Sequence, residues 1–94
     1  MQARLLLHER QAIGENRSAD IVIWQVPRGV RGSAHDYKYR LAFVVDEICV
    51  PRFDNEARKG DHKHIGETEV PVVFVDLRQL ASDFWDEVGR WRPV

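Results

Sequence analysis

The sequence holds a single cysteine, Cys49, so no disulfide can form within the chain. It lies in the apolar run Ile48-Cys49-Val50, where it reads as a small buried hydrophobe in a reducing compartment. No run of about 18 apolar residues occurs, which excludes a membrane-spanning helix. The opening MQARLLLHER has too short an apolar centre to read as a secretory signal, so the cytoplasm is the expected compartment. A positive excess is missing as well: 14 Lys+Arg stand against 15 Asp+Glu, for a formal net charge of −1. Proteins that coat nucleic acid without sequence preference carry a large positive excess, and this chain is not of that class. Repeats, linkers, low-complexity segments, cysteine clusters and an H-x-x-x-H helix are also absent.

What is present suits one folded domain, residues 1–94, with 44% hydrophobic and 10% aromatic residues and one modest core. Charge is unevenly placed. Residues 28–64 carry eight Lys/Arg, six Asp/Glu and three of the four histidines, whereas residues 65–94 carry three Lys/Arg and six Asp/Glu. A locally basic face can therefore coexist with an acidic C-terminal element.

Apolar patterning predicts strands over Ala3 to His8, over ADIVIWQVP and over YKYRLAFVVD. In the last of these Tyr37, Tyr39, Leu41, Phe43 and Val45 share one face, with Lys38 and Arg40 on the other. The pair Asp46-Glu47 separates that strand from ICVPRFD, as in a tight hairpin, although glutamate is disfavoured where the turn wants positive φ. Pro51 lacks an N–H, so its strand should lie at an edge or contain a bulge. VPVVFV predicts a further strand. Asp76 then caps a helix, with Gln79 at capping-box spacing, a buried stripe of Leu77, Leu80, Ala81, Phe84, Val88 and Trp91, and a stop at Pro93. The expected fold is α+β: an antiparallel sheet of about five strands covered by a C-terminal helix. Trp24, Trp85 and Trp91 read as packing aromatics.

The densest polar stretch is RFDNEARKGDHKHIG, residues 52–66. Three readings compete for it. Asp54, Asn55 and Gly60 are turn formers, so the stretch can be a solvated connection. H-x-H in a strand puts His62 and His64 on one face, so they could share a metal ion, but a third ligand is then needed from Asp61, Asp54 or His35. The third reading is acid–base cleavage of RNA. A base takes the 2′-hydroxyl proton, an acid protonates the leaving 5′-oxygen, and cations offset charge on the phosphate. Histidine suits both proton roles. His62 and His64 are then the catalytic pair, with Lys59 beside them. Arg58, Lys63, Arg52, Lys38, Arg40 and His35 are candidate substrate contacts. This reading assigns no metal and no cofactor, and activity should survive a chelator.

GSAHDYKYRLAFVVD, then RFDNEARKGDHKHIG, then an apolar strand and a helix ending in Trp91-Arg92 resemble the TumE family of toxin–antitoxin proteins. The order matches over almost the whole chain, and G-D-H-K-H-I-G after F-D-N-E is its most specific part. The chain departs from the pattern at Asp46-Glu47, where Asp-Gly is expected, at Ala57 and at Pro51. The resemblance implies the toxin of a bacterial type II pair, held inactive by an antitoxin with a helix-turn-helix domain. It also points towards RNA or ribosome-associated RNA as target, while assigning no catalytic residue. The alternative is a non-enzymatic partner- or RNA-binding domain.

Overall fold

The computed structural model describes residues 2–27, 33–56 and 60–92. Six strands run in sequence order through one antiparallel sheet: β1 (Arg4–Gly14), β2 (Arg17–Gln25), β3 (Tyr37–Val45), β4 (Ile48–Glu56), β5 (Gly60–Ile65) and β6 (Thr68–Pro71). One helix, α1 (Leu77–Arg90), follows. The α+β expectation holds, with six strands where about five were expected.

Alternation decides which face each side chain takes. Ala19, Ile21 and Ile23 of β2, Tyr39, Leu41 and Phe43 of β3, and Phe53 of β4 point to one face and are buried there with Leu80 and Phe84 of α1. Phe84 meets Phe53 edge-on at 6.1 Å between ring centres, and Trp91 meets Phe43 likewise at 5.8 Å. Arg17 lies over the Trp91 ring, 5.1 Å from its centre. The helix starts as its sequence implies: Asp76 Oδ1 accepts from the Gln79 backbone N–H at 2.7 Å. The Gln79 side chain turns instead to Asp83, so the capping box is only half made. The expected stop at Pro93 lies outside the described residues.

Two sequence expectations are corrected, and a third is resolved between its alternatives. The polar stretch is not a connection; most of it is the β4–β5 hairpin, with Asp54 opposite His62 and Arg52 opposite His64. The strand expected at VPVVFV is instead Thr68–Pro71, and residues 72–76 run irregularly into the helix with Val73 and Val75 exposed. Of the two alternatives for the Pro51 strand, an edge or a bulge, the structure has the bulge. Pro51 is buried in β4, between β3 and β5, where the register slips by one residue between Ala42↔Arg52 and Val44↔Cys49. That bulge frees proline from the ladder.

The β3–β4 turn takes the geometry the sequence argues against. Asp46 and Glu47 have φ of 50° and 67°, both in the left-handed region. Two-residue hairpins favour this because its twist matches the strands, and the ladder imposes it on residues that resist it. β1 forms one edge of the sheet and is exposed along its length, with Leu5, Leu6, Leu7 and Ile13 all uncovered.

Candidate functional site

The two faces of β5 carry two different polar constellations. Asp61 points to the helix side, and its carboxylate is a hub. Oδ1 accepts from Ser33 Oγ at 2.6 Å; Oδ2 accepts from the Tyr39 hydroxyl at 2.7 Å and lies 2.6 Å from His35 Nε2. His35 Nδ1 accepts from the Tyr37 backbone N–H at 3.1 Å, so a neutral ring carries its proton on Nε2 and donates it to Asp61. Burial raises the Asp61 pKa, but bonds from Ser33, His35 and Tyr39 outweigh it and hold the group below the usual carboxylate range. Burial, then Asp61, pushes the Tyr39 phenol well up, which keeps it a donor. Asn55, 1% exposed, completes the network. Its oxygen accepts from Tyr39 N–H, and its amide donates to Tyr37 C=O and Ser33 Oγ. Phe74 stacks 3.8 Å from His35. His35 is thus tied into a network on the helix side, away from His62 and His64.

The opposite face of the hairpin carries the H-x-H pair. His62 and His64 meet edge-on, with ring centres 4.9 Å apart. His62 is 3% exposed and Asp54 7%. His62 Nδ1 lies 2.9 Å from Gly60 C=O; a carbonyl only accepts, so Nδ1 carries the proton and a neutral ring leaves a lone pair on Nε2. That Nε2 stands 2.7 Å from Asp54 Oδ1, yet the two are out of line for a hydrogen bond. Arg52 Nε stands 3.0 Å from Asp54 Oδ2, also without bonding geometry. The Glu69 carboxylate lies 3.6 Å from His62 Nε2, at the more exposed rim.

Beside this cluster the sheet splays. The β3–β4 pairing ends at Arg40↔Asp54, while β3 continues back to Tyr37, so a groove of about 340 Å³ opens there. Val22, Trp24, Lys38, Arg40, Arg52 and Asp54 are among its lining residues. Trp24 is partly exposed on this face, opposite Lys38 across the β2–β3 ladder. It is therefore a surface aromatic rather than the packing aromatic expected from sequence. The signal was available: Ile21 and Ile23 alternate inwards, which sends Val22 and Trp24 outwards.

Of the site residues expected from sequence, His62, His64, Arg52, Lys38 and Arg40 therefore share one face. Lys63 does not: it points to the helix side, 3.5 Å from Glu87 Oε1 and over the Phe53 ring at 5.8 Å. Arg58 and Lys59 lie outside the described residues. Asp54, one of three ligands considered for a metal reading, is the one that stands against the histidine pair; Asp61 and His35 belong to the other network.

Residues 3–92 match the family described as Toxin TumE. The chain belongs to the toxin TumE family. No curated protein and no solved structure matches it. Membership covers both constellations and the groove, and a toxin family implies a cognate antitoxin. None of the described helices of this TumE-family chain is long and apolar enough to cross a membrane.

Proposed function

We propose that this TumE-family toxin acts on RNA, as an endoribonuclease that works on the sheet face opposite the helix. One observation carries the reading: the groove lined by Lys38, Arg40 and Arg52 shares Arg52 and Asp54 with the His62–His64 cluster. Cations beside a histidine cluster are what phosphodiester chemistry needs, since the backbone must be held and charge on the phosphate offset. Trp24 gives a flat apolar surface on which a base can stack. His64 is the less buried of the two histidines and is the side chain assigned to meet the RNA, with His62 and Asp54 behind it. The attacking group is the substrate's own 2′-hydroxyl, and the product carries a cyclic phosphate.

The test is cleavage of a short RNA and of the same strand with one deoxynucleotide at the cut site. The RNA should be cut and the substituted strand should resist. His64→Ala should lower the rate by roughly 10²–10⁴ with little change in melting temperature. Lys38→Ala and Arg40→Ala should each reduce the salt slope of RNA binding by about one ion, while Lys63→Ala, on the other face, should not. If folded His62→Ala/His64→Ala still arrests growth as the parent does when expressed without its antitoxin, the cluster is structural. The helix-turn-helix character of that antitoxin belongs to this proposal too; the neighbouring gene tests it.

A further inference from the structure

We infer that Asp54, His62 and His64 form a binding site for one divalent transition-metal ion. Each offers one ligand atom, and the three atoms lie within 4.8 Å of one another. Asp54 Oδ1, His62 Nε2 and His64 Nε2 are buried, and none has a hydrogen-bond partner among the described residues. Buried polar atoms without partners are costly, and three of them converging on one point call for a common occupant.

The chemistry of the atoms says what that occupant is. Asp54 Oδ1 is an acceptor, and so is His62 Nε2, because Gly60 C=O fixes the proton on Nδ1. With the neutral His64 ring protonated on Nδ1, its Nε2 is a third acceptor, whereas a water molecule donates only two hydrogens. A cation satisfies all three. A ligating histidine usually donates its other N–H to a backbone carbonyl, and His62 already does this through Gly60. Two imidazoles and one carboxylate form a donor set for zinc and its first-row neighbours rather than for calcium or magnesium. Arg52 approaches the other Asp54 oxygen and leaves Oδ1 to the ion. Tetrahedral zinc holds nitrogen and oxygen at about 2.0–2.2 Å, hence roughly 3.4 Å apart. On binding, the 2.7 Å Asp54–His62 pair must open and the widest pair, no more than 4.8 Å apart, must close. Three protein ligands leave a position for water or a substrate oxygen.

This inference concerns the same cluster as the RNA reading but rests on its donor geometry alone, so the two can fail separately. The full-length protein is stripped with a chelator, dialysed and titrated with Zn²⁺ alone, with Co²⁺ as a visible probe. The expected result is about one ion per chain after dialysis and a melting temperature raised by several degrees. Asp54→Asn and His64→Ala should each weaken binding by at least about 10-fold. His8→Ala, at an exposed histidine on β1, should bind as the parent does. Should His62→Ala fail to fold, the other two variants still decide. No stoichiometric uptake by the folded parent, or equal uptake in Asp54→Asn and His64→Ala, overturns the site. RNA cleavage by a chain that takes up no metal would sink this inference and leave the RNA reading standing. A metal-loaded chain that cuts no RNA would do the reverse.

Discussion

Replacing Asp61 tests the network behind β5, because two substitutions there remove different things. Asp61→Ala takes the acceptor away from three part-buried donors: Ser33 Oγ, His35 Nε2 and the Tyr39 hydroxyl. A donor left unsatisfied costs about 1–3 kcal/mol, and the two hydroxyls can partly re-aim, so the total should be about 3–5 kcal/mol. A domain of this length has about 5–14 kcal/mol in all. Asp61→Asn behaves differently. Its amide can flip so that oxygen faces His35 and Tyr39 while nitrogen donates to Ser33, whose hydroxyl can rotate to accept. Only charge assistance is then lost, which makes about 1–2 kcal/mol the expected cost. Urea unfolding at neutral pH, followed by tryptophan fluorescence, measures both. The pH dependence follows from the depressed Asp61 pKa. The unfolded carboxylate titrates near about 3.9, so Asp61's contribution is fully present above that value. It is lost as pH falls through the lower, folded value. The parent should therefore lose stability more steeply in acid than Asp61→Asn. An Asp61→Ala cost below about 1 kcal/mol, or an acid limb identical in parent and Asp61→Asn, would refute the argument.

Phe84, fully buried against Phe53, anchors α1 to the sheet; Phe84→Ala should cost roughly 3–5 kcal/mol by urea unfolding. A cost below about 1 kcal/mol would mean that the helix is not held by this contact. Glu47→Gly should stabilise the protein by about 0.5–1 kcal/mol. It relieves left-handed strain of about 1–2 kcal/mol and loses part of that gain to the freer unfolded chain, and a thermal melt checks the sign.

The elements that could be read from the sequence were those whose two faces differ in polarity. In β3, Tyr39, Leu41 and Phe43 go inwards while Lys38 and Arg40 go outwards, and α1 carries one apolar stripe. β5 has no such contrast. Asp61 and Lys63 face the helix side, His62 and His64 the other; Asp61, Lys63 and His62 have specific polar partners, and His64 meets the His62 ring edge-on. Such a strand is polar all along and reads as a loop. The H-x-H spacing did put both rings on one face. Asp54 was one of three candidate partners for that pair, and choosing it over Asp61 and His35 needs the β4–β5 register, which no local pattern in residues 52–66 encodes. Asn55 was read as a turn former for the same reason, and it proves to be buried and bonded to β3.

The bulge around Pro51 has a consequence for how this chain can gain or lose residues. It switches the parity of β4: Cys49, at an odd position, and Arg52, at an even one, both face the same way, opposite Val44 and Ala42. A deletion of one residue inside the bulge would restore a regular ladder and leave Arg52 and Asp54 on their present side. The same deletion at Phe53 would turn the remainder of β4 over and send Asp54 or its neighbours to the wrong face. Length variation in this strand is therefore tolerable at the proline and intolerable two residues later.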